Sequence, residues 1–416
     1  MGGRQSGVKR GWALVGLVAL AVLLAGWAAP RARQGARAPT VILVSLDGFR
    51  WDYLGRAPTP NLDRLIARGV RARWMTPVFP TLTFPNHYTI VTGLYPEHHG
   101  IVGNRFVDPT GTRFAYTDTV AVRDPRWWGG EPVWVTAERQ GVHAGTHFWP
   151  GSEAVIGGVQ PSFTKRYDGT VPNASRVQTL LSWLDLPGDR RPRFLTLYLS
   201  DADDAGHRNG PDAPEMLGAI RAVDSAVGLL VRGLERRRIL GRVNIVVVSD
   251  HGMAPTSPQR LVYVEDYVDT ARVDLIQSGA LVMVSPRDGA VDRLYEALRR
   301  APHVAFFRRA DLPARLHYSS NPRIAPIVGL VDEGWEFTTH GAISRRQGGF
   351  DGGEHGYDSA LPSMRAIFIA AGPAFRRGYV AEPFQNIHVY ELICAVLGLR
   401  PAPNDGSLDS VRVMLR

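Results

Sequence analysis

Six aspartate and histidine residues in this sequence are of the types that bind zinc in enzymes. Each of them follows an apolar run or lies in a glycine-rich stretch; they are Asp47, Asp203, His207, Asp250, His251 and His355. A single aspartate after a strand usually marks only a turn. Six aspartate and histidine residues in such positions together indicate a functional site. Three carboxylates and three imidazoles provide enough ligands for two zinc ions with open positions, which indicates catalytic rather than structural metal sites.

The spacing of two ligand pairs carries geometric information. Asp203 and His207 lie four residues apart, so both side chains share one face if this segment makes a helical turn. The adjacent pair Asp250 and His251 cannot point to one face of a regular strand, because successive strand residues alternate. We therefore expect that pair at the point where a strand ends.

A second chemical feature is the segment 79–88, which contains two threonines and two prolines near a helical run over 87–92. Thr83 precedes the second proline by two positions, which predicts a helix N-cap. A hydroxyl there lies near unpaired backbone N–H groups and the positive end of the helix, a natural anion site. A neighbouring metal ion would make Thr83 a nucleophile. Thr81 is the alternative nucleophile.

The elements that must position these residues alternate between strand and helix after residue 38. The apolar runs predict strands at 41–46, 194–199, 244–248, 280–284, 327–331 and 366–371, and the helical stretches are 61–69, 174–184, 214–237, 291–300 and 387–397. Nearly continuous apolar strands separated by helices favour an α/β fold with a mostly parallel sheet covered on both faces. We predict one domain over 39–416, with an inserted or capping lobe at about 255–349.

The position of the six residues agrees with this fold. In open parallel sheets, ligands bind beyond the carboxyl ends of the strands. The sequence therefore predicts a functional site at that edge.

Composition and charge exclude several classes of protein. The chain has 416 residues, of which 44% are apolar and 21% charged, so neither wholesale disorder nor a multi-span membrane protein is expected. Six of the net nine positive charges precede residue 38, and the remaining basic residues are scattered along the chain. Because nucleic-acid binders concentrate basic residues on one surface, no nucleic-acid readout is expected.

The N-terminal segment predicts export. An uncharged, mostly apolar run over 11–29 follows three basic residues, which is the pattern of a signal peptide or a signal anchor over 1–38. Cleavage and retention are both open, so the protein is expected to be periplasmic or secreted, with membrane contact only through an uncleaved N-terminal segment. Cys394 is the single cysteine, so no disulfide within the chain is expected.

The motifs around these residues resemble those of the nucleotide pyrophosphatase/phosphodiesterase family of the alkaline phosphatase superfamily. The matching motifs lie at 45–50, 80–87, 93–104, 206–207, 249–253 and 355–356, and the match runs from about 41 to 403. The resemblance implies an alkaline-phosphatase-like three-layer α/β/α fold with a mostly parallel central sheet. One departure is the stretch Asp201-Ala202-Asp203-Asp204, where the family usually has Glu-Pro-Asp before Gly-His; Asp203 keeps the correct offset to His207.

The resemblance also implies a role for each site residue. One zinc ion would be held by Asp47, Asp250 and His251 and would bind the nucleophile Thr83; the other would be held by Asp203, His207 and His355 and would activate water. Asn104 would bind a non-bridging phosphate oxygen, assisted by the backbone N–H of Thr83. The slot for the base would be formed by Phe84, Tyr167 and Tyr198.

The implied reaction is hydrolysis of nucleotide phosphodiesters and pyrophosphates, such as ATP, dinucleotides and nucleotide aryl esters. It would release a nucleoside 5′-monophosphate through a covalent nucleotidyl-threonine. The main alternative is a phosphodiesterase for lipid headgroups or other non-nucleotide diesters on the same metal core. A phosphomonoesterase would need a cation for the terminal phosphate oxygens, for which Arg105 and the pair Lys165-Arg166 are available. A non-catalytic exported binding protein is the remote alternative.

Overall fold

The computed structural model describes residues 1–3, 39–345 and 352–416. Residues Pro39–Arg416 form one compact unit. The predicted signal peptide or anchor lies outside the described residues, and the division into a leader and one catalytic domain stays a prediction. Within the described residues, no helix has both the length and the apolar character needed to cross a bilayer.

The strands of the described residues are β1 Thr40–Leu46, β2 Gly69–Ala72, β3 Met75–Thr76, β4 Arg105–Val107, β5 Arg113–Ala115, β6 Ala144–His147, β7 Phe163–Lys165, β8 Phe194–Leu199, β9 Val243–Val248, β10 Ala254–Pro255, β11 Leu261–Tyr263, β12 Val273–Gln277, β13 Leu281–Pro286, β14 Val304–Arg308, β15 Ile327–Val331, β16 Glu336–Thr338, β17 Gly353–Glu354, β18 Phe368–Ala371, β19 Tyr379–Ala381 and β20 Phe384–Gln385. The α-helices are α1 Pro60–Arg68, α2 Thr83–Thr92, α3 Pro96–His99, α4 Val133–Arg139, α5 Asn173–Leu184, α6 Asp201–Asn209, α7 Pro214–Arg236, α8 Val291–Leu298, α9 His340–Ser344 and α10 Val389–Leu397.

The central sheet is mostly parallel. Its order is β19-β2-β18-β9-β1-β8-β6-β7. β18 pairs antiparallel with both of its neighbours, and every other pairing in this sheet is parallel. The carboxyl ends of β1, β8 and β9 therefore meet at one edge.

Alternation along β1 explains why both faces of this sheet are covered. Val41 and Leu43 pack into one apolar core, and Ile42 and Val44 pack into another, because successive strand side chains point to opposite faces. Helices α1, α5 and α7 contribute to the core on the Ile42 side, whereas α2, α4 and α10 contribute to the core on the Val41 side. The predicted three-layer α/β/α arrangement is confirmed.

Two predicted strands belong to another sheet. The runs at 280–284 and 327–331 form β13 and β15 of a four-stranded antiparallel sheet, in the order β12-β13-β15-β14. This sheet and α8 share a third apolar core. Both runs lie within the stretch at about 255–349 for which an inserted or capping lobe was predicted, and that domain division stays a prediction. The prediction for 366–371 missed that β18 runs antiparallel.

Candidate metal centre and active site

The six predicted ligands lie together at the carboxyl edge of the central sheet. Asp47 directly follows β1, and Asp250 and His251 follow β9 after one serine. Asp203 and His207 lie on α6, which begins two residues after β8, so the expected helical turn is present. His355 follows β17. The sheet and the first turns after it thus bring residues more than 300 positions apart to one place.

The ligand atoms form two clusters. One consists of Asp47, Asp250 and His251, and the other consists of Asp203, His207 and His355; within each cluster the ligand atoms all lie within 4.8 Å of one another. The same grouping was implied for the two metal ions by the resemblance. The clusters are adjacent, because the backbone N–H of Asp203 donates to the carbonyl of Asp47 at 3.1 Å and the rings of His251 and His355 stack at 3.5 Å.

Gly48 allows this close approach of the two clusters. Its φ is +64°, which is in the left-handed region that favours glycine, and a Cβ at this position would lie 2.9 Å from Cα of Asp203. Its backbone N–H also donates to Oδ1 of Asp250 at 3.2 Å. A side chain at position 48 would therefore push the two clusters apart.

Each ligand histidine presents the same ring nitrogen to its cluster. Nδ1 lies 2.8 Å from the Gly252 carbonyl in His251, 3.0 Å from the Gly353 carbonyl in His207 and 2.8 Å from the Thr81 carbonyl in His355. A carbonyl only accepts, so Nδ1 carries the proton in each ring and Nε2 keeps its lone pair. Backbone contacts of this kind commonly orient metal-binding histidines.

The ligand atoms of the two clusters are arranged as expected for residues that bind metal ions. Oδ1 of Asp47 and Oδ1 of Asp203 are buried and have no hydrogen-bond partner among the described residues. Nε2 of His355 lies 3.1 Å from Nε2 of His207, although both carry lone pairs. Unpaired buried acceptors facing one another are costly, and cations between them would remove the cost.

Burial and the crowding of ligand residues also shift the pKa values of Asp47 and His355. Burial, together with the neighbouring Asp250, raises the pKa of Asp47 well above its usual range. Burial, together with His251 and His207, lowers the pKa of His355 well below its usual range. A neutral imidazole is the form that binds a metal ion, so His355 is held in its ligating state.

Thr83 lies at the edge of the first cluster. Its Oγ1 is 3.2 Å from Nε2 of His251, and it is the first residue of α2. The prediction of Thr83 as the N-cap was wrong by one position, since Leu82 occupies the cap, and the helix begins four residues before the predicted run over 87–92. Pro85 lies in the first turn of α2, where proline is tolerated.

Thr81 has a different environment. It is fully buried, and its hydroxyl donates to the Tyr357 carbonyl at 2.9 Å and accepts from the Gly356 N–H at 3.0 Å. Its own carbonyl is the partner of His355. Thr81 therefore fixes the loop that carries His355, which disfavours it as the nucleophile.

Asn104 is tied to the first turn of α2. Its Oδ1 accepts from the backbone N–H of Phe84 at 3.0 Å. This contact fixes the orientation of the amide and leaves its Nδ2 group as a donor. A donor held beside Thr83 suits an oxygen of a bound phosphate.

The three aromatic residues predicted for the base slot differ in exposure. Phe84 is half-buried, with Tyr116 5.8 Å away between ring centres. Tyr167 is 55% exposed and packs edge-on against Phe148 at 5.3 Å. Tyr198 is 9% exposed and its hydroxyl donates to Oδ2 of Asp47, so it orients a ligand of the first cluster. The role of these three in binding substrate stays a prediction.

Sequence reasoning gave His87 no specific role and missed Arg176, and both are supporting residues. His87 is fully buried, with Nε2 2.7 Å from the Ser45 hydroxyl and with Nδ1 2.9 Å from the Thr83 carbonyl and 3.1 Å from Oδ2 of Asp250. Arg176 is also buried and donates to the carbonyls of Val171, Tyr198 and Gly169. Neither residue has a local spacing signal, because most of its partners come from other elements.

The fold and the two Asp/His clusters define an alkaline-phosphatase-like protein. The family model described as Type I phosphodiesterase / nucleotide pyrophosphatase matches residues 41–358, which is more than half of the sequence. The chain therefore belongs to this family, and the resemblance inferred from the motifs is confirmed.

The relatives include animal proteins of greater length. Ectonucleotide pyrophosphatase/phosphodiesterase family member 3 of Rattus norvegicus is 40% identical over 398 residues, which are 93% of this chain and 45% of that protein. Venom phosphodiesterase CdcPDE of Crotalus durissus collilineatus is 41% identical over 389 residues, or 90% of this chain and 46% of that protein. The chain thus spans about half the length of these curated relatives.

A solved structure is similar over its whole length. It is murine ectonucleotide pyrophosphatase/phosphodiesterase 5, an inactive threonine-to-alanine variant in complex with AMP. Its TM-score to this chain is 0.86 at 36% identity, and the alignment covers 91% of this chain and 100% of that chain. This similarity confirms the predicted fold.

Proposed function

We propose that this chain is a two-zinc phosphodiesterase that cleaves phosphodiester and pyrophosphate bonds of nucleotides and releases nucleoside 5′-monophosphates. The observation that carries the proposal is the position of Thr83, whose Oγ1 lies 3.2 Å from Nε2 of His251 at the start of α2. Family membership and the names of the relatives support the substrate class. The AMP bound by the murine protein supports it as well.

The two clusters are the proposed metal sites. When bound, the two zinc ions would supply Lewis-acid stabilisation of the attacking and leaving oxygens. The residues assigned to one ion are Asp47, Thr83, Asp250 and His251, and those assigned to the other are Asp203, His207 and His355.

The proposed reaction has two displacements at phosphorus. The hydroxyl of Thr83 loses its proton and Oγ1 attacks; its bond to phosphorus forms as the bond to the leaving-group oxygen breaks, the leaving group takes up one proton, and a nucleotidyl-threonine results. Water then attacks from the opposite side and loses one proton, the bond to Oγ1 breaks, and Oγ1 takes up one proton as the nucleoside 5′-monophosphate leaves. Two in-line displacements give net retention at phosphorus.

The remaining predicted site residues bind rather than react. Nδ2 of Asn104 donates to a non-bridging phosphate oxygen, since Oδ1 is engaged by the Phe84 N–H. The rings of Phe84 and Tyr167 stack on the base, which selects for an aromatic group without reading its edge. Tyr198 contacts the base slot through its ring, which lies 6.0 Å from that of Tyr167.

We also propose that the protein is exported. The pattern over 1–38 is that of a signal peptide or anchor. The relatives are named as an ectonucleotide enzyme and a venom enzyme, which supports a location outside the cytoplasm.

The substrate class is tested by comparing kcat/KM on three aryl phosphates with added zinc. These are a thymidine 5′-monophosphate aryl ester, a methyl aryl diester and an aryl monoester. We expect the nucleotide ester to be preferred over the methyl diester by at least about tenfold, because stacking of one base contributes about 1–3 kcal/mol. A methyl diester of equal kcat/KM would exclude the base slot and favour lipid headgroups, and a preferred monoester would contradict the role of Asn104.

Arg176 provides a further test of the base slot. Its guanidinium lies 5.1 Å above the Phe148 ring, which packs against Tyr167, and it donates to the carbonyls of Gly169 and Val171. We expect Arg176→Met to release Tyr167 and to raise KM for the nucleotide ester by about tenfold, with less than about threefold change for the methyl diester. Arg176→Lys, which keeps a donor and the charge, should restore part of the difference. Equal losses on both substrates would show a general structural role instead.

A further inference from the structure

A cavity lies at the end of the central sheet opposite the metal clusters. It has a volume of about 430 Å³ and lies between α1, α7 and the amino end of β9. Its β9 residues are Val243 and Ile245, whereas the metal ligands follow the other end of this strand at Val248. Five residue steps of a strand place Val243 about 17 Å from Val248. The cavity is therefore separate from the proposed active site.

The wall of this cavity combines an apolar floor with a basic rim. The floor residues are Leu65, Val231, Val243, Ile245 and Ala371, all of them buried. The rim is formed by four exposed arginines, Arg64, Arg68, Arg377 and Arg416. No acidic side chain is among the described residues that line the cavity. The volume of this cavity is within the range of about 300–1,000 Å³ that is typical of ligand sites.

The charges of the rim are only partly compensated. Arg64 forms an ion pair with Glu235 at 2.6 Å, and Nε of Arg416 donates to the Phe375 carbonyl at 2.7 Å. Neither Arg68 nor Arg377 forms an ion pair with any residue that the structure describes. Glu235 compensates one of the four positive charges. Guanidinium groups bind oxyanions in a bidentate manner, so Arg68 and Arg377 are suited to an external oxyanion.

We propose that this cavity binds an organic oxyanion, a carboxylate, sulfonate or phosphate group carried on a small apolar body. The apolar part contacts the floor, and the oxyanion contacts Arg68 and Arg377. The proposal is independent of the proposed function. The ligand has two sources, a soluble anion or an anionic lipid headgroup.

The test uses the full chain and the fluorescent probe 8-anilinonaphthalene-1-sulfonate, with hexanoate as competitor and hexanol as the neutral control. We expect Arg68→Gln/Arg377→Gln to raise the dissociation constant of the probe, at the site for which hexanoate competes, by at least about tenfold. The reason is that each lost charged contact contributes about a factor of ten to binding. The matched control is Arg221→Gln/Arg300→Gln, which removes two exposed arginines that do not line the cavity. The control should bind as the unmodified chain does. The kcat/KM on a nucleotide ester should stay unchanged in both.

A second variant fills the cavity without changing its charge. Gly241 lies in its wall, and a Cβ at this position meets no atom within 4 Å. We expect Gly241→Leu to weaken probe binding as strongly as the double arginine variant does. The proposal would be overturned if hexanoate competed as well in Arg68→Gln/Arg377→Gln and in Gly241→Leu as in the unmodified chain. It would also be overturned if hexanol competed as well as hexanoate does.

The two sources are distinguished with vesicles. Sedimentation with phosphatidylglycerol vesicles but not with phosphatidylcholine vesicles, lost in Arg68→Gln/Arg377→Gln, would support the lipid source. Probe binding that depends on these arginines without vesicle binding would support a soluble anion. Loss of both kinds of binding in Arg221→Gln/Arg300→Gln would overturn the proposal, because the effect would then follow net charge alone.

Discussion

Thr83→Ala is expected to lower kcat/KM for a thymidine 5′-monophosphate aryl ester by at least about 10⁴-fold, as removal of a nucleophile does in other covalent enzymes. The physical reason is that alanine lacks Oγ1, the atom that lies 3.2 Å from Nε2 of His251, and therefore has no atom that can attack phosphorus. The zinc content should be unchanged, since three protein ligands of that cluster remain. Steady-state kinetics and metal analysis of the same preparation provide the measurement.

The covalent step can be tested directly. Rapid acid quenching of the unmodified chain with a radiolabelled nucleotide ester should trap label on the peptide that contains Thr83, and Thr83→Ser should retain a slower version of this adduct. Thr81→Val is the matched control, because the Thr81 hydroxyl is engaged with Tyr357 and Gly356 rather than with the metal cluster. Label that persists in Thr83→Ala and disappears in Thr81→Val would assign the nucleophile to Thr81.

The central elements could be predicted from the sequence because they are apolar throughout. β8 and β15 have the bounds that their apolar runs predict, and β1 and β9 each begin one residue earlier than predicted. The four strands at the two ends of the central sheet, β2 and β19 on one side and β6 and β7 on the other, were missed, since they are only three or four residues long. Runs this short have no periodicity from which a strand can be distinguished.

The site residues that could be predicted from the sequence are those that closely follow strands. Asp47 and Asp250 are of this kind, because the topology of a parallel sheet brings such positions together. His87 is not, since its partners Ser45 and Asp250 become neighbours only when α2 packs beside the ends of β1 and β9. Tyr198 lies within β8, so its exposure depends on which face of the strand it occupies. A sequence pattern identifies a ligand more readily than the residue that orients it.

The second large effect is expected at the other metal cluster. Two neighbouring aspartates there make it possible to distinguish the loss of a metal ligand from the loss of a nearby negative charge. Oδ1 of Asp203 is buried beside His207 and His355 and has no hydrogen-bond partner in the described part of the chain. Asp204, in contrast, is exposed and accepts from the Ser200 hydroxyl at 3.2 Å. We expect Asp203→Asn to lose one of two zinc ions per chain and at least about 10²-fold in kcat/KM. Asp204→Asn removes the same charge one residue away and should retain both ions and most of the activity.

Stability provides a readout of the same site that does not depend on turnover. A metal ion that binds only the folded chain at 100 times its dissociation constant adds about 2.7 kcal/mol to the free energy of unfolding. We therefore expect a chelator to lower the Tm of the unmodified chain and of Asp204→Asn by similar amounts. In Asp203→Asn the decrease should be smaller, because one ion is already absent. An unmodified chain whose Tm does not change with chelator, or Asp204→Asn that loses metal as Asp203→Asn does, would contradict the assignment of Asp203 as the ligand.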